Sequence, residues 1–141
     1  MMADGAGTKL AGKASYQADA YIFNMNDSSA SSHTLSMGDS GKTYLLYSTV
    51  ARTITLPAVK AGLKFKFIAT DTTADSSIAT SEGTALLKGG AEAGNSYLTL
   101  AGTTIIVEAA ASVGDHLELV CDGTYWYVSG HSAAGAGFSV T

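Results

Sequence analysis

The chain reads as all-β: a single compact β-sandwich or small barrel of short antiparallel strands, with an extended N-terminal arm. Three observations predict this. Apolar and polar residues alternate with a period of two in several short runs, as in Leu63-Lys-Phe-Lys-Phe67 and Leu117-Glu-Leu-Val-Cys121. Turn residues separate these runs at intervals of about 8 to 12 residues, the spacing of sandwiches and small barrels. The runs 115–121 and 124–129 are joined by Asp122-Gly123, a strong local hairpin signal because Asp and Gly tolerate the positive φ that a type I′ turn requires.

Residues 1–20 mix Gly, Ala, Lys, Asp and Ser without a helical or strand period, and glycines at 5, 7 and 12 weaken any helix there. Residues 1–36 are therefore expected to form an arm. Within it Tyr21-Ile-Phe-Asn-Met25 is a short apolar island, placed either to add an edge strand to its own domain or to reach a neighbour. A Ser-rich loop follows over 26–32.

The β-domain is expected over 37–131, with strands at 42–47, 52–56, 63–69, 76–80, 85–88, 96–100, 103–109, 115–121 and 124–129. Asp39-Ser-Gly41, Pro57, Gly62, the 71–75 stretch, Gly89-Gly90, Ala101-Gly102 and Val113-Gly114 supply the turns. Leu63, Phe65 and Phe67 share one face and Lys64 and Lys66 the other; Ile54 and Leu56 likewise oppose Thr53 and Thr55. In the hairpin, Leu117, Leu119 and Cys121 face inward with Trp126 and Val128, leaving Tyr125 and Tyr127 outside. The run Glu108-Ala-Ala-Ala-Ser112 is too short to stand as a helix. Residues 132–141 form a small-residue tail tipped by Phe138 and Val140.

A length of 141 residues is enough for one domain with a core that needs neither metal nor disulfide. Charged residues make up 14% of the chain, against about 25% in typical soluble domains. Apolar residues make up 46%, but alanine is the commonest of them and buries little area, so a thin core is expected. A net charge of −4 offers no footprint for a phosphate backbone, so nucleic acid is not an expected partner. No run reaches the roughly 18 to 20 apolar residues of a membrane span, and the N-terminal residues lack the pattern of a signal peptide. Cys121 is the sole cysteine and lies in the inward alternation, which makes it a buried, inert thiol.

No catalytic, cofactor-binding or metal-binding residues stand out. His33, His116 and His131 do not lie at metal-ligand spacing. His116 and Glu118 share a strand face, but a polar hairpin face accounts for them better than an acid/base pair, which needs a pocket. There is no Gly-x-Ser-x-Gly elbow, and the paired glycines do not form a phosphate loop. Tyr125, Trp126 and Tyr127 are the one aromatic cluster, with Trp126 turned to the core.

Two segments carry a family resemblance: Arg52-Thr-Ile-Thr-Leu-Pro57 followed by Gly62-x-x-Phe65-x-Phe67, and Leu119-x-x-Asp122-Gly-Thr-x-Trp126-Tyr-Val128. They resemble a β-rich module of tailed-bacteriophage virion proteins, notably of phages infecting cyanobacteria. The module occurs in capsid decoration (cement) proteins and in tail-fibre or spike proteins. The likeness spans residues 38–131; Tyr125 stands where the family more often has Asn, and the first 40 residues carry no likeness. It implies a non-enzymatic homotrimer, located on the virion and needing no cofactor. The single-module length favours a decoration protein that binds the major capsid protein and stabilises the head. Tyr21, Ile22, Phe23, Phe138 and Val140 are the expected partner-binding residues. The alternative is a tail-fibre or spike tip that binds a host receptor or glycan, with Tyr125 and Tyr127 as stacking residues.

Overall fold

The period-two alternation gives each strand one apolar face, and two sheets bury those faces against each other. In the computed structural model, which describes residues 22–24 and 32–141, twelve strands form these sheets. They are β1 (Ile22–Asn24), β2 (Ser32–Thr34), β3 (Thr43–Ser48), β4 (Arg52–Thr55), β5 (Lys64–Thr72) and β6 (Ser76–Ala79), followed by β7 (Leu87–Ala93), β8 (Ser96–Thr99), β9 (Thr104–Val107), β10 (His116–Cys121), β11 (Trp126–Ser132) and β12 (Phe138–Val140). The larger sheet has the order β1-β3-β5-β10-β11-β7-β8 and the smaller β12-β9-β6-β4-β2. Neither closes into a barrel, so the all-β expectation resolves to the sandwich.

The strands are not uniformly antiparallel as expected; both sheets are mixed. From β1 to β6 the chain alternates between the sheets. β1, β3 and β5 pair in parallel in the larger sheet, as β2, β4 and β6 do in the smaller. This part is a coil with roughly two dozen residues per turn, built like a short solenoid. Tyr44 pairs with Phe67 and their rings stack at 5.6 Å. Ile54, Ile78 and Ile105 stand opposite one another on successive strands of the smaller sheet, all fully buried.

The expected 1–36 arm therefore contains two sheet strands, since β1 and β2 pair with β3 and β4; residues 1–21, and 25–31 with most of the expected Ser-rich loop, lie outside the described residues. Gly89-Gly90, expected as a turn, lies inside β7. A Cβ on Gly89 would sit 2.4 Å from the Val128 carbonyl oxygen, and one on Gly90 2.3 Å from that of Leu98. The glycines are there because backbone approaches on both flanks. The true turn is Gly94-Asn95, which joins β7 to β8 with Gly94 at φ +61°.

The hairpin register also differs from the simplest reading of Asp-Gly. Cys121 pairs with Trp126 and Val120 with Tyr127, and the Asp122 N–H donates to the Tyr125 carbonyl. Gly123, at φ +100°, is thus the first central residue, the position where a type II′ turn needs it. Relative to a turn centred on Asp122-Gly123 the pairing moves by two residues. An even shift keeps every side chain on its face, so Leu117, Leu119, Trp126 and Val128 are buried as expected.

The core is not thin. Its fully buried side chains include Trp126, Tyr44, Phe67, Leu46, Leu56, Leu87, Leu100 and Leu117, and only Ala69, Ala91 and Ala93 among the buried apolar residues are alanines. Each large side chain contributes about 1.5 to 3 kcal/mol by burial. Cys121 is buried as expected and accepts the Gly123 N–H at 3.4 Å.

The 132–141 tail folds onto its own domain, with β12 antiparallel to β9. Asp115, 3% exposed, anchors it: the Ser132 hydroxyl donates to Oδ2 at 2.6 Å, and the N–H groups of Ala133 and Ser112 donate at 2.9 and 2.8 Å. Burial alone pushes this carboxyl up, but the three donors outweigh it and hold it below the usual carboxylate range. Gly137 closes the knot, because a Cβ there would meet Ser132 Oγ at 2.0 Å.

Candidate functional site

The inward residues of β5, β10 and β11 are spent on the core, so their outward residues form the surface available for contact. One cross-strand row runs Lys64 (β5), Val120 (β10), Tyr127 (β11), Lys88 (β7). A parallel row runs Thr43, Lys66, Glu118, Ser129. Val120 and Tyr127 are 50% and 48% exposed, unusually open for apolar and aromatic side chains at the middle of a sheet.

This face is partly neutralised. Lys66 and Glu118 approach to 3.5 Å across β5 and β10, and Lys42 pairs with Asp39 at 2.6 Å. The Lys42 side chain, with the backbone N–H of Ser36, holds the Asp39 carboxyl down to about 2. Lys64 has no ion pair among the described residues, and the Lys88 ammonium lies over the Tyr125 ring, 5.0 Å from its centroid. A shallow depression of about 190 Å³ is lined by Lys42, Thr43, Lys64, Lys66, Glu118 and Val120, among others.

The turn fixes the aromatic rim. Asp122 Oδ1 accepts the N–H groups of Thr124 and Tyr125 at 2.7 and 2.8 Å, and Oδ2 accepts the Tyr127 hydroxyl at 3.1 Å. The Tyr125 and Thr124 N–H groups keep the Asp122 carboxyl below its usual range; in return, the hydrogen bond to Asp122 raises the Tyr127 phenol. Both tyrosines are thus presented on one outward face, with the Tyr127 ring held at its hydroxyl.

Of the expected partner-binding residues, Tyr21 lies outside the described residues. Ile22 and Phe23 form β1 at the edge of the larger sheet, opposite Thr43 and Tyr44. Phe138 is 3% exposed and belongs to its own core rather than to an exposed tip, because pairing with β9 turns it inward. Val140 is half-buried against the same core. Neither is brought near the lysine and tyrosine face.

His116 and His131 pair directly across β10 and β11, with rings 6.4 Å apart, while His33, on β2 of the smaller sheet, has its ring 6.3 Å from that of Tyr44. Among the described residues no three His, Cys, Asp or Glu side chains could hold a metal ion together. Glu118 is directed to Lys66 rather than to His116. Among the described residues no helix is long and apolar enough to cross a membrane. The sequence signal for the lysine and tyrosine face was the alternation of Lys64 and Lys66 with Phe65 and Phe67. Alternation alone marks a solvent side without showing that Val120, Tyr127 and Lys88 join it from three other strands. The sequence matches no protein-family model, and no curated protein matches it.

Proposed function

We propose that the chain is a non-catalytic virion module, a capsid decoration protein of a tailed phage that seats on the outer surface of the head and stabilises it. The observation that carries this reading is the broad outward face of the larger sheet. It exposes Val120, Tyr125 and Tyr127, and the depression at its Val120 side measures only about 190 Å³, so the surface suits being covered by another protein rather than enclosing a small substrate. The likeness of residues 38–131 to phage virion modules supplies the partner, the major capsid protein. The module acts as a homotrimer: among the described residues both sheets are open, with β1, β8, β12 and β2 at their edges, and association is one way to cover such edges.

Purified protein is expected to co-sediment with heads assembled from the major capsid protein of the same genome, and to raise their heat resistance. Light scattering should give three times the single-chain 14.3 kDa. Free protein remaining in the supernatant at saturating heads would count against decoration, and a mass of one or two chains against the trimer. A second reading, a fibre or spike tip that binds glycan, is favoured by the Tyr127 ring held at Asp122 beside Tyr125. Copy number on the particle separates the two: hundreds for a decoration protein, a few tens for a tip.

A further inference from the structure

The outward face of the larger sheet has the layout of a protein interface, an apolar and aromatic centre with a charged rim. Val120 and Tyr127 occupy the middle of a four-strand row whose ends are Lys64 and Lys88. With neighbouring strands about 4.8 Å apart, the two lysines lie roughly 14 Å apart. Lys42 and Lys66 also line the depression but are paired with Asp39 and Glu118, so Lys64 and Lys88 are the two lysines of this face with no ion pair among the described residues. The chain carries 12 acidic residues against 8 Lys and Arg, so this cationic face belongs to a molecule of net negative charge. Such an asymmetry orients the molecule with this face toward an acidic surface and turns its other sides away. A two-fold pairing of the face with itself would set lysine against lysine, so a second copy docked in that way does not suit it.

We infer that this face is the capsid-docking surface and that its occupant is an acidic surface of the capsid protein, with carboxylates meeting Lys64 and Lys88 at the two ends of the row. The inference rests on the decoration reading and adds the face and the chemistry of its partner. Tyr127 and Val120 supply the apolar contact, while Lys64 and Lys88 supply orientation and charge pairing.

The test is co-sedimentation of the full chain with DNA-free heads assembled from that capsid protein, at several salt concentrations. Wild type is expected to bind more weakly as salt rises. Lys64→Glu/Lys88→Glu is expected to lose about tenfold or more in affinity, and Lys64→Arg/Lys88→Arg to bind like wild type. Both variants should melt like wild type, since neither lysine takes part in the core. If wild type binds heads and the Glu variant binds equally well, the docking face is wrong and decoration stands. If wild type binds no heads at all, decoration falls and this inference with it. If the Glu variant keeps head binding but loses self-association, the face belongs to a second copy, and the inference is overturned.

Discussion

The coil of β1 to β6 and the hairpin of β10 and β11 meet in one sheet, where β5 pairs with β10, yet they are assembled in opposite ways. In the hairpin, strand partners are separated by a four-residue connection, and Gly123 at positive φ sets the turn. In the coil, each strand's partner lies a whole turn of chain away, past a strand of the other sheet. The hairpin can be specified by local chemistry. The coil needs long-range pairing that repays loop closure only once both sheets are in place. The lysine and tyrosine face draws on both parts, so its geometry depends on their registration.

The largest effect is expected in the shared core on the coil's side of the sandwich. Ile78 of the coil stands between Ile54, also of the coil, and Ile105 of β9, all fully buried. Ile78→Ala should cost about 2 to 5 kcal/mol and shift one cooperative unfolding transition followed by circular dichroism. Two separated transitions would show that the coil and the hairpin fold as independent units.

Gly123→Val tests the hairpin alone. A β-branched residue at φ +100° is strained, and a loss of about 1 to 3 kcal/mol is expected in a denaturant melt. Asp122→Asn should be tolerated better, because its carbonyl can still accept the Thr124 and Tyr125 N–H groups. An unchanged melt for Gly123→Val would remove the turn from the determinants of the fold.

The C-terminal knot gives a pH signature of similar or smaller size. Ser132→Ala removes the donor to a buried carboxylate and should cost about 1 to 3 kcal/mol. The folded Asp115 carboxyl titrates below its unfolded counterpart. Its contribution is therefore complete above the ordinary carboxylate value of about 4 and is lost as pH falls through the lowered value. Thermal midpoints should fall below pH 4 more steeply for wild type than for Asp115→Asn. Parallel profiles would show that Asp115 is not among the groups responsible; Asp39, lowered to about 2, loses its contribution over the same acid range.

The smallest effect belongs to Cys121. The residue is 2% exposed, so a thiol reagent should label it slowly under native conditions. Cys121→Ser should cost about 1 kcal/mol by placing a hydroxyl in the core. Rapid stoichiometric labelling would mean that the hairpin opens freely.

Alternation made the inward faces legible, because which face a side chain takes depends only on its parity along the strand. Phe65, Phe67, Leu117, Leu119 and Trp126 were assigned correctly even though the hairpin pairing is two residues from the simplest reading. Gly89-Gly90 is not legible as strand in the sequence, because the same residue type serves turns and close backbone approach, and only the neighbours Val128 and Leu98 tell them apart. The inward turn of Phe138 is not legible in the sequence, because a short apolar tip has no period and the β9 pairing that turns it inward joins residues far apart in the chain.

By itself, then, the sequence determined the all-β class, the core-facing set of the expected strands and the existence of the β10–β11 hairpin, all of which follow from interactions within a few residues. Tertiary structure decided the parallel coil, the mixed sheets and the gathering of Lys64, Val120, Tyr127 and Lys88 into one row. Those depend on which strand lies beside which. Backbone hydrogen bonding can satisfy many such orders, and only the packing of two complete sheets selects among them.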